Sequence, residues 1–359
     1  MKSLEKIDKN FKVQTKFNVD GLVYHNVKEN PFDIYGLCNI KNGECFTRMS
    51  VDVAKETSEG VEWLNLCPAG GRVRFKTNSP YVAINAKYAQ VERSSNLTLA
   101  GSAGFDMYVS ENGEYIYQKT FMPPADLKPE GFESIHYFKN THMKDITLYM
   151  PYNNHVEELY VGISDDSIIT GGDKYKIQKP IVFYGSSITQ GGCASRPGNI
   201  YESIVSRHFD CDYINLGFSG SAKGEKCMAE YISELDMSCF VYDYDHNAEK
   251  IDELSSTHKP MFDIIRGKNP LLPIIIMSAP PCSLWKKEEQ QARKAIIKAT
   301  YDAAIASGDE NVYFIEGDKM YEMFGGMSGT ADGCHPNDLG FMCIANHVIK
   351  EMEKILKSH

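Results

Sequence analysis

The chain lacks any long uninterrupted run of apolar residues. No segment approaches the roughly 20 consecutive apolar residues that a membrane-spanning helix requires. Residues 1–17 contain no apolar core of the kind found in secretory signal peptides. We therefore expect a chain that neither crosses a membrane nor carries a secretion leader.

Clusters of basic residues are also lacking. The 38 Lys and Arg residues are outnumbered by 48 Asp and Glu residues, which gives a net charge of −10. Basic residues occur in short pairs such as Lys286-Lys287 rather than in runs. Because nucleic acids and anionic membrane surfaces attract clustered positive charge, we expect neither as the main partner.

The ten cysteines show no CxxC pair and none of the His and Cys spacings typical of zinc sites. Several, such as Cys239 and Cys343, lie within apolar runs, where a buried and reduced thiol is expected. Reduced thiols indicate a reducing compartment, here the cytoplasm. We expect no metal ion and no other cofactor.

The front half reads as a β-domain. A chain of 359 residues is long for one domain and comfortable for two. Apolar and polar residues alternate in short runs such as 81–86 and 104–109, and turn signals such as Asn112-Gly113 separate the runs. This pattern is typical of a β-sandwich or jelly roll. We predict such a domain over residues 1–165, followed by a short connector.

Beyond this connector the pattern changes to apolar runs that alternate with helical stretches. Five runs follow one another, at 181–184, 213–216, 239–242, 274–277 and 312–315. Apolar strands alternating with helices predict an α/β domain whose five-stranded parallel sheet is covered on both faces. We predict this domain over residues 178–359, with a ligand site at the carboxyl ends of its strands.

Four polar clusters fall in loops of this second domain. They are Gly185-Ser186-Ser187-Ile188, Ser219-Gly220, the segment from Asp243 to Asn247, and Asp332-Gly333-Cys334-His335. One such loop would carry little information, because Gly, Ser and Asn favour turns for conformational reasons alone. Four of them at the edge where a ligand is expected indicate a functional site.

These clusters resemble the sequence blocks of the SGNH, or GDSL-like, hydrolase superfamily. The first looks like the block usually written Gly-Asp-Ser-Leu, with Ser186 in place of the aspartate. Ser219-Gly220 resembles the second block. Asn247 matches the asparagine of the third block, which here takes an Asp-x-x-x-Asn form instead of the usual Gly-x-Asn-Asp.

The resemblance implies a catalytic triad. The last block of the superfamily is present as Asp332-x-x-His335, and the nucleophile falls at Ser187. A serine hydroxyl needs an adjacent base, which an imidazole supplies and a carboxylate holds in the correct tautomer. In this family the oxyanion hole would consist of the Ser187 N–H, the Gly220 N–H and the Asn247 side-chain amide.

A second resemblance lies in the front half. Gly104-Phe105-Asp106-Met107-Tyr108 is similar to the Gly-x-Asp-Leu-Tyr signature of a β-domain that precedes one branch of these hydrolases. Together the two resemblances cover most of the chain. They imply a flavodoxin-like catalytic domain behind an N-terminal jelly-roll domain.

Each of these site residues also has a purely structural interpretation. Ser187 could be an ordinary turn serine, and Asp332 and His335 could serve only to shape the last turn. The backbone conformation alone could require Gly220. Asn247 could cap the following helix.

Two further side chains are candidate substrate contacts. Arg196 follows the nucleophile turn and is suited to bind a substrate hydroxyl or carbonyl, or else to form a surface salt bridge. Trp285 follows the fourth strand, where its ring would stack on a sugar or simply pack. Trp63 is expected in the core of the β-domain, and His246 is expected to be structural or on the rim of the site.

Family resemblance implies hydrolysis of an ester, and two-domain members of this kind are often carbohydrate acetylesterases. The chain has no long apolar lid segment of the sort a lipase uses on aggregated lipid. We therefore expect an esterase for short acyl groups, acetyl above all, acting on a small-molecule or oligosaccharide ester. An acyltransferase with the same triad, or a carbohydrate-binding protein with an idle hydrolase domain, remain alternatives. The oligomeric state is left open.

Overall fold

The N-terminal half is built mainly from antiparallel strands. The structure, a computed structural model, describes residues 16–38, 40 and 46–358, so the first fifteen residues of the predicted β-domain lie outside it. The strands of this half are β1 (Leu22–Asn26), β2 (Asp33–Tyr35), β3 (Arg72–Thr77), β4 (Tyr81–Gln90), β5 (Phe105–Glu111), β6 (Glu114–Phe121), β7 (Phe132–Tyr137), β8 (Lys144–Tyr149), β9 (His155–Ser164) and β10 (Ile169–Gly171).

These strands form two antiparallel sheets around one core. One sheet has the order β1-β9-β4-β7, and the other has the order β10-β3-β8-β5-β6 with β2 beside β3. Apolar side chains such as Phe75, Ile84 and Phe105 share a single buried cluster. Asn112 and Gly113 both adopt positive φ angles in the β5–β6 turn, as an Asn-Gly hairpin favours. The predicted antiparallel β-domain is confirmed, while its jelly-roll connectivity and its boundaries stay predictions.

Within the part of this half that the structure describes there are three short helices, although its sequence shows almost no helical periodicity. They are α1 (Val51–Thr57), α2 (Glu59–Asn65) and α3 (Leu99–Ser102). Ser58 caps α2 by accepting a hydrogen bond from the Val61 N–H at 3.1 Å. Val61 and Ala54 pack into a core cluster that also contains Phe218 of the C-terminal half. Tertiary packing therefore supports helices of two turns that are too short to show a period.

The C-terminal half is the predicted α/β domain. Its strands are β11 (Ile177–Gly185), β12 (Cys211–Gly217), β13 (Cys239–Asp243), β14 (Ile274–Met277) and β15 (Val312–Ile315). Its helices are α4 (Ser187–Gln190), α5 (Tyr201–Phe209), α6 (Lys226–Ser233), α7 (Ile251–Lys268), α8 (Lys287–Ala306) and α9 (Asp338–Ser358). The strands pair in parallel in the order β12-β11-β13-β14-β15, which is the flavodoxin-like order.

Strand β11 shows why these apolar runs do not alternate with polar residues. Val182 and Tyr184 belong to the buried cluster on one face of the sheet, whereas Ile181 and Phe183 belong to the cluster on the other. Both faces are covered, so every position of the run is apolar. No helix among the described residues is long and apolar enough to cross a membrane.

The order of the strands positions the site. Strand β11 lies between β12 and β13, so the order in which successive strands are placed in the sheet reverses at β11. A crevice opens there, at the carboxyl ends of these three parallel strands. The loops after β11, β12 and β13 carry Ser187, Gly220 and Asn247. The fold thus brings together three of the predicted polar clusters.

Candidate active site

Ser187 is the first residue of helix α4, directly after β11. Ser186, which replaces the usual aspartate, is extended and caps α4 by accepting a hydrogen bond from the Ile188 N–H at 3.2 Å. A Cβ atom at Gly185 would lie 1.9 Å from Asp243 Oδ1, so only glycine fits there. These restraints fix the sharp turn that presents the Ser187 hydroxyl.

Ser187, His335 and Asp332 form one continuous row of hydrogen bonds. Ser187 Oγ lies 2.9 Å from His335 Nε2, and His335 Nδ1 lies 2.8 Å from Asp332 Oδ2. The loop after residue 330 brings the last two residues together, because the His335 N–H also donates to Asp332 Oδ1 at 2.8 Å. This is the geometry in which an imidazole can take a proton from a serine hydroxyl.

Asp332 is held as a carboxylate by several donors. Partial burial would raise its pKa, but hydrogen bonds from Asn96 and from the backbone and side chain of His335 outweigh burial and lower the pKa of Asp332 below its usual range. Asn96 Nδ2 donates to Asp332 Oδ2 at 2.9 Å, and the Cys334 N–H donates to Oδ1 at 3.0 Å. Asn96 comes from the N-terminal half, and nothing in the sequence singles it out.

The predicted oxyanion donors are arranged in an unexpected way. Gly220, at φ +66°, donates its N–H to Asn247 Oδ1 at 3.0 Å. Asn247 Nδ2 donates to Phe218 O at 2.9 Å and to Ala222 O at 3.0 Å. The Asn247 side chain therefore fastens the loop that follows β12. The roles of Gly220 and Asn247 in an oxyanion hole stay predictions. To bind an oxyanion, the Gly220 N–H or an Asn247 N–H would have to share its present acceptor with the substrate oxygen or exchange one for the other.

The alternative interpretation of Asn247 as a helix cap is wrong. Helix α7 has Lys250 at its N-cap position and no side-chain capping bond.

Among the predicted oxyanion donors, the Ser187 N–H is the one with no acceptor within the described residues. It belongs to the first turn of α4, where N–H groups lack partners inside the helix.

A cleft of about 220 Å³ opens at Ser187 and His335. Besides these two residues it is lined by Ser94, Asn96, Leu97, Tyr152, Asn153, Gln190, Gly192 and Ser219. An adjoining groove of about 410 Å³ shares Ser94, Leu97, Asn153 and Ser219 with the cleft and extends to Trp63, Glu92 and Arg93. Both halves of the chain therefore contribute walls to the site.

The sequence predicted Trp63 in the core of the β-domain, but its side chain lies only partly within the core. It is half-buried, packs against a core cluster and lines the adjoining groove. Its ring centroid lies 4.5 Å from that of His155, in a tilted arrangement. A half-buried indole on a groove wall is a surface on which a sugar ring can stack.

Arg196 lies in the contact between the two halves rather than in the cleft. Its Nη1 atom lies 2.7 Å from Asp106 Oδ2 and donates to the Tyr108 hydroxyl at 2.7 Å. The guanidinium also lies over the Tyr117 ring, 4.3 Å from its centroid. Asp106 and Tyr108 belong to the Gly-x-Asp-Leu-Tyr-like segment, which therefore serves to hold Arg196. The geometry does not support the predicted substrate contact at Arg196.

Trp285 likewise lies outside the cleft. Its ring stacks on His246 at 5.0 Å, and the Arg293 guanidinium lies 4.3 Å from its centroid. His246 is buried, in agreement with a structural position and not with the rim of the site. A sugar contact by Trp285 stays a prediction.

Asp243 lies at the end of β13, behind the Ser187 turn. It is buried and accepts a hydrogen bond from the Thr189 hydroxyl of α4. Burial raises the pKa of Asp243 to about 7, although the Thr189 bond lowers it. Helix α4 is therefore tied to a carboxyl whose pKa is raised towards neutral pH.

Within the described residues, one group of side chains could together hold a metal ion. The ligand atoms of Cys193, Asp332 and His335 all lie within 4.8 Å of one another. Burial is the main cause that raises the pKa of the Cys193 thiol to about 12. A thiol with this pKa is a poor metal ligand near neutral pH. The expectation that no metal is needed stays a prediction.

Two protein-family models match the chain. The GDSL-like lipase/acylhydrolase family matches residues 178–353, and GxDLY, described as the N-terminus of SGNH-hydrolase-type esterases, matches residues 22–169. No curated protein sequence matches the chain.

Solved structures resemble both halves of the chain at once. A structure from Bacteroides ovatus described as a GDSL-like lipase is 29% identical, with a TM-score of 0.83 over 94% of this chain and 98% of that one. The salicylyl-acyltransferase SsfX3 of a tetracycline biosynthetic pathway is 16% identical, with a TM-score of 0.78 over 94% and 98%. An acetyl xylan esterase from Butyrivibrio proteoclasticus is 13% identical, with a TM-score of 0.57 over 93% and 99%.

The family models adjoin each other along the chain and coincide with the two halves seen in the structure. The strand order is flavodoxin-like, and three residues of the SGNH-like sequence blocks, Ser187, His335 and Asp332, form the hydrogen-bonded row. The α/β half, over residues 178–353, therefore belongs to the GDSL-like lipase/acylhydrolase family, and the β-rich half in front of it, over residues 22–169, matches the GxDLY domain.

Proposed function

We propose that this protein is a serine esterase that removes short acyl groups, acetyl above all, from carbohydrates. The observation that carries the proposal is the hydrogen-bonded row of Ser187, His335 and Asp332 at the mouth of a small cleft. A carbohydrate-binding protein with an idle hydrolase domain would have no use for this alignment.

In the proposed reaction, Ser187 Oγ attacks the ester carbonyl while His335 Nε2 takes the hydroxyl proton. His335 then gives this proton to the leaving alcohol, and an acyl-serine remains. Water attacks the acyl-serine with His335 again as the base, which releases the carboxylic acid and restores Ser187. Asp332 keeps the Nδ1 proton in place and stabilises the imidazolium.

The oxyanion of each tetrahedral intermediate requires hydrogen-bond donors. We assign the Ser187 N–H as the first donor, because it has no other acceptor within the described residues. Gly220 N–H is the proposed second donor, with Asn247 holding its loop or giving one of its own N–H groups. Loss of a single such donor typically costs on the order of 100- to 1,000-fold in kcat.

The size of the cleft supports a short acyl group. A volume of about 220 Å³ lies below the range of roughly 300–1,000 Å³ typical of sites for drug-sized ligands. The alcohol part would then occupy the adjoining groove. Trp63 offers a flat apolar face there, and Glu92 and Arg93 offer hydrogen bonds to hydroxyl groups. This mixture suits a sugar and supports a carbohydrate substrate.

Hydrolysis of aryl esters of increasing chain length tests the proposal. We expect the wild type to cleave the acetate at least tenfold faster than the octanoate, and Ser187→Ala to lose at least 1,000-fold in kcat. Ser255→Ala, a change of the same kind at an exposed position on α7, is the control and should behave as the wild type. Equal activity of Ser187→Ala and the wild type would contradict the proposal.

Release of acetate from defined acetylated oligosaccharides then tests the substrate class. The acyltransferase alternative, which the SsfX3 fold suggests, predicts a different product. Addition of an acceptor alcohol would divert the acyl group from water to that alcohol. A product that is mostly transferred ester, at acceptor concentrations well below that of water, would favour transfer over hydrolysis.

A further inference from the structure

The side chain of Gln190 joins three parts of the site. Gln190 is the last residue of α4, is 4% exposed and lines the cleft together with Ser187. Its Oε1 atom accepts a hydrogen bond from the Ser219 N–H at 3.0 Å, and its Nε2 atom donates to Tyr152 O at 3.1 Å. The Gln190 amide therefore connects the helix of Ser187 with the segment that follows β12 and with the N-terminal half.

The segment that follows β12, residues 218–222 (the β12 loop), carries Gly220, the proposed second oxyanion donor. Two side-chain amides accept from neighbouring N–H groups of this loop. The Ser219 N–H donates to Gln190, and the Gly220 N–H donates to Asn247 Oδ1 at 3.0 Å. An oxyanion at the Gly220 N–H would share or replace the bond to Asn247, whereas the bond to Gln190 can stay in place. Gln190 thus holds the residue directly before Gly220 during this exchange.

Helix α4 and the end of β12 lie in close contact. A Cβ atom at Gly217 would lie 2.1 Å from the backbone N atom of Gln190, so only glycine allows this approach. Asn215 Nδ2 donates to Thr189 O at 2.6 Å and fastens β12 itself to α4. Because the strand is fastened by Asn215, the Gln190 side chain is left to hold the β12 loop beyond it.

We infer that Gln190 is a positioning residue of the proposed reaction, which holds the β12 loop so that the Gly220 N–H can reach the oxyanion. The inference rests on the proposed esterase function. An interaction that matters only once charge has developed on the carbonyl oxygen raises kcat and changes substrate binding little. Loss of the Gln190 amide is therefore expected to lower kcat more than it raises KM.

Steady-state kinetics of Gln190→Met with an aryl acetate tests the inference, since methionine has a similar length but no amide. We expect kcat to fall at least about tenfold, because a displaced donor is less effective and complete loss of one typically costs on the order of 100- to 1,000-fold. KM should stay within about threefold of the wild-type value. Gln291→Met, the same change at an exposed position of α8, is the control and should match the wild type. An unchanged kcat in Gln190→Met would overturn the inference.

Inhibition by a short alkylboronic acid separates loop positioning from a loss of folded protein. Ser187 Oγ adds to the boron while His335 takes the hydroxyl proton, and the tetrahedral adduct carries negative charge where the oxyanion would lie. We expect the inhibition constant of Gln190→Met to be at least about fivefold higher than that of the wild type. If the substitution only unfolded part of the enzyme, the folded remainder would keep the wild-type inhibition constant, and the inference would be wrong.

Gln190→Asn is the second variant, in case Gln190→Met does not fold. Its amide is one methylene shorter and cannot reach the Ser219 N–H and Tyr152 O together, so the same rise in the inhibition constant is expected. A wild-type constant in folded Gln190→Asn would also overturn the inference.

Ser187→Ala distinguishes this inference from the proposed function on which it rests. Full activity of Ser187→Ala would contradict the esterase proposal itself. An inactive Ser187→Ala enzyme beside a Gln190→Met enzyme with wild-type constants would overturn only the role of Gln190.

Discussion

At the scale of single residues, Asn96 shows how the N-terminal half supports the hydrogen-bonded row of Ser187, His335 and Asp332. Its amide donates to the same Asp332 oxygen that binds His335. One carboxylate oxygen can accept both bonds, so Asn96 fixes the plane of the Asp332 carboxylate without displacing the hydrogen bond from His335. Asn96 is therefore a positioning residue for Asp332, although it lies on a loop of the other half and 236 positions away along the chain.

We expect Asn96→Ala to lower kcat of the proposed esterase about threefold to tenfold, in line with the loss of one hydrogen bond to a charged group. KM should change less, because Asn96 acts on the Asp332 carboxylate. Steady-state kinetics with an aryl acetate would measure both constants. Asn140→Ala, in an exposed loop of the same half, is the control. An unchanged kcat in Asn96→Ala would show that Asp332 needs no help from the N-terminal half.

The sequence blocks singled out the three side chains that the structure brings into one hydrogen-bonded row, but not what surrounds them. Ser187, Asp332 and His335 could be found because short blocks carry them with fixed spacing. Asn96 could not, because a lone Asn in a polar loop has many other uses. Arg196 was assigned to substrate because it is close in sequence to Ser187, whereas its partner Asp106 is 90 positions away.

At the scale of elements, the turn from β11 into α4 depends on what lies behind it. Thr189 of α4 donates to Asp243, whose pKa burial raises to about 7. A carboxyl with a raised pKa in the folded state contributes stability that is fully present below its unfolded pKa, near 4. This contribution is lost progressively as the pH rises from about 4 through 7.

Asp243→Asn should remove this dependence on pH, since an amide does not ionise. The melting temperature of Asp243→Asn, relative to that of the wild type, should rise by at least about 2 °C between pH 5 and pH 8. Thermal unfolding followed by circular dichroism at the two pH values measures this difference. Asp263→Asn, at an exposed position of α7, should show no such change. A constant difference between Asp243→Asn and the wild type would mean that Asp243 keeps one protonation state throughout.

At the scale of elements, strands were predicted well where a short run is apolar throughout. The runs at 274–277 and 312–315 became β14 and β15 with the predicted bounds, because helices bury both faces of these strands. Helices α1 and α2 were missed. They have seven residues each, and the surface that stabilises them belongs to the other half of the chain.

At the scale of the whole molecule, buried arginines join the two halves. Arg48 donates to Gly217 O at 2.5 Å, and Arg72 pairs with Asp212 and donates to Tyr213 O at 3.0 Å. Arg196 also joins the two halves, but here the arginine belongs to the α/β domain and its partner Asp106 belongs to the N-terminal half. Charged groups buried in this way must keep their partners, because an unpaired buried charge is costly.

Arg196→Met should therefore leave the Asp106 carboxylate buried without its cation. We expect a loss of about 3 kcal/mol in stability, which urea unfolding would measure. Lys259→Met breaks an exposed pair with Asp263 and should cost less than about 1 kcal/mol. A loss in Arg196→Met no larger than this control would show that Asp106 is satisfied by Thr120 and Gly198 alone.

The packing of α1 and α2 on the α/β core has a consequence for the history of the chain. Evolution often shuffles domains as independent modules joined by linkers. Here a hydrolase half transferred alone would expose Phe218 and Met228, and Asp332 would lose its hydrogen bond from the Asn96 side chain. A recombination that kept activity would have to carry both halves, so the pair is expected to be inherited as one unit.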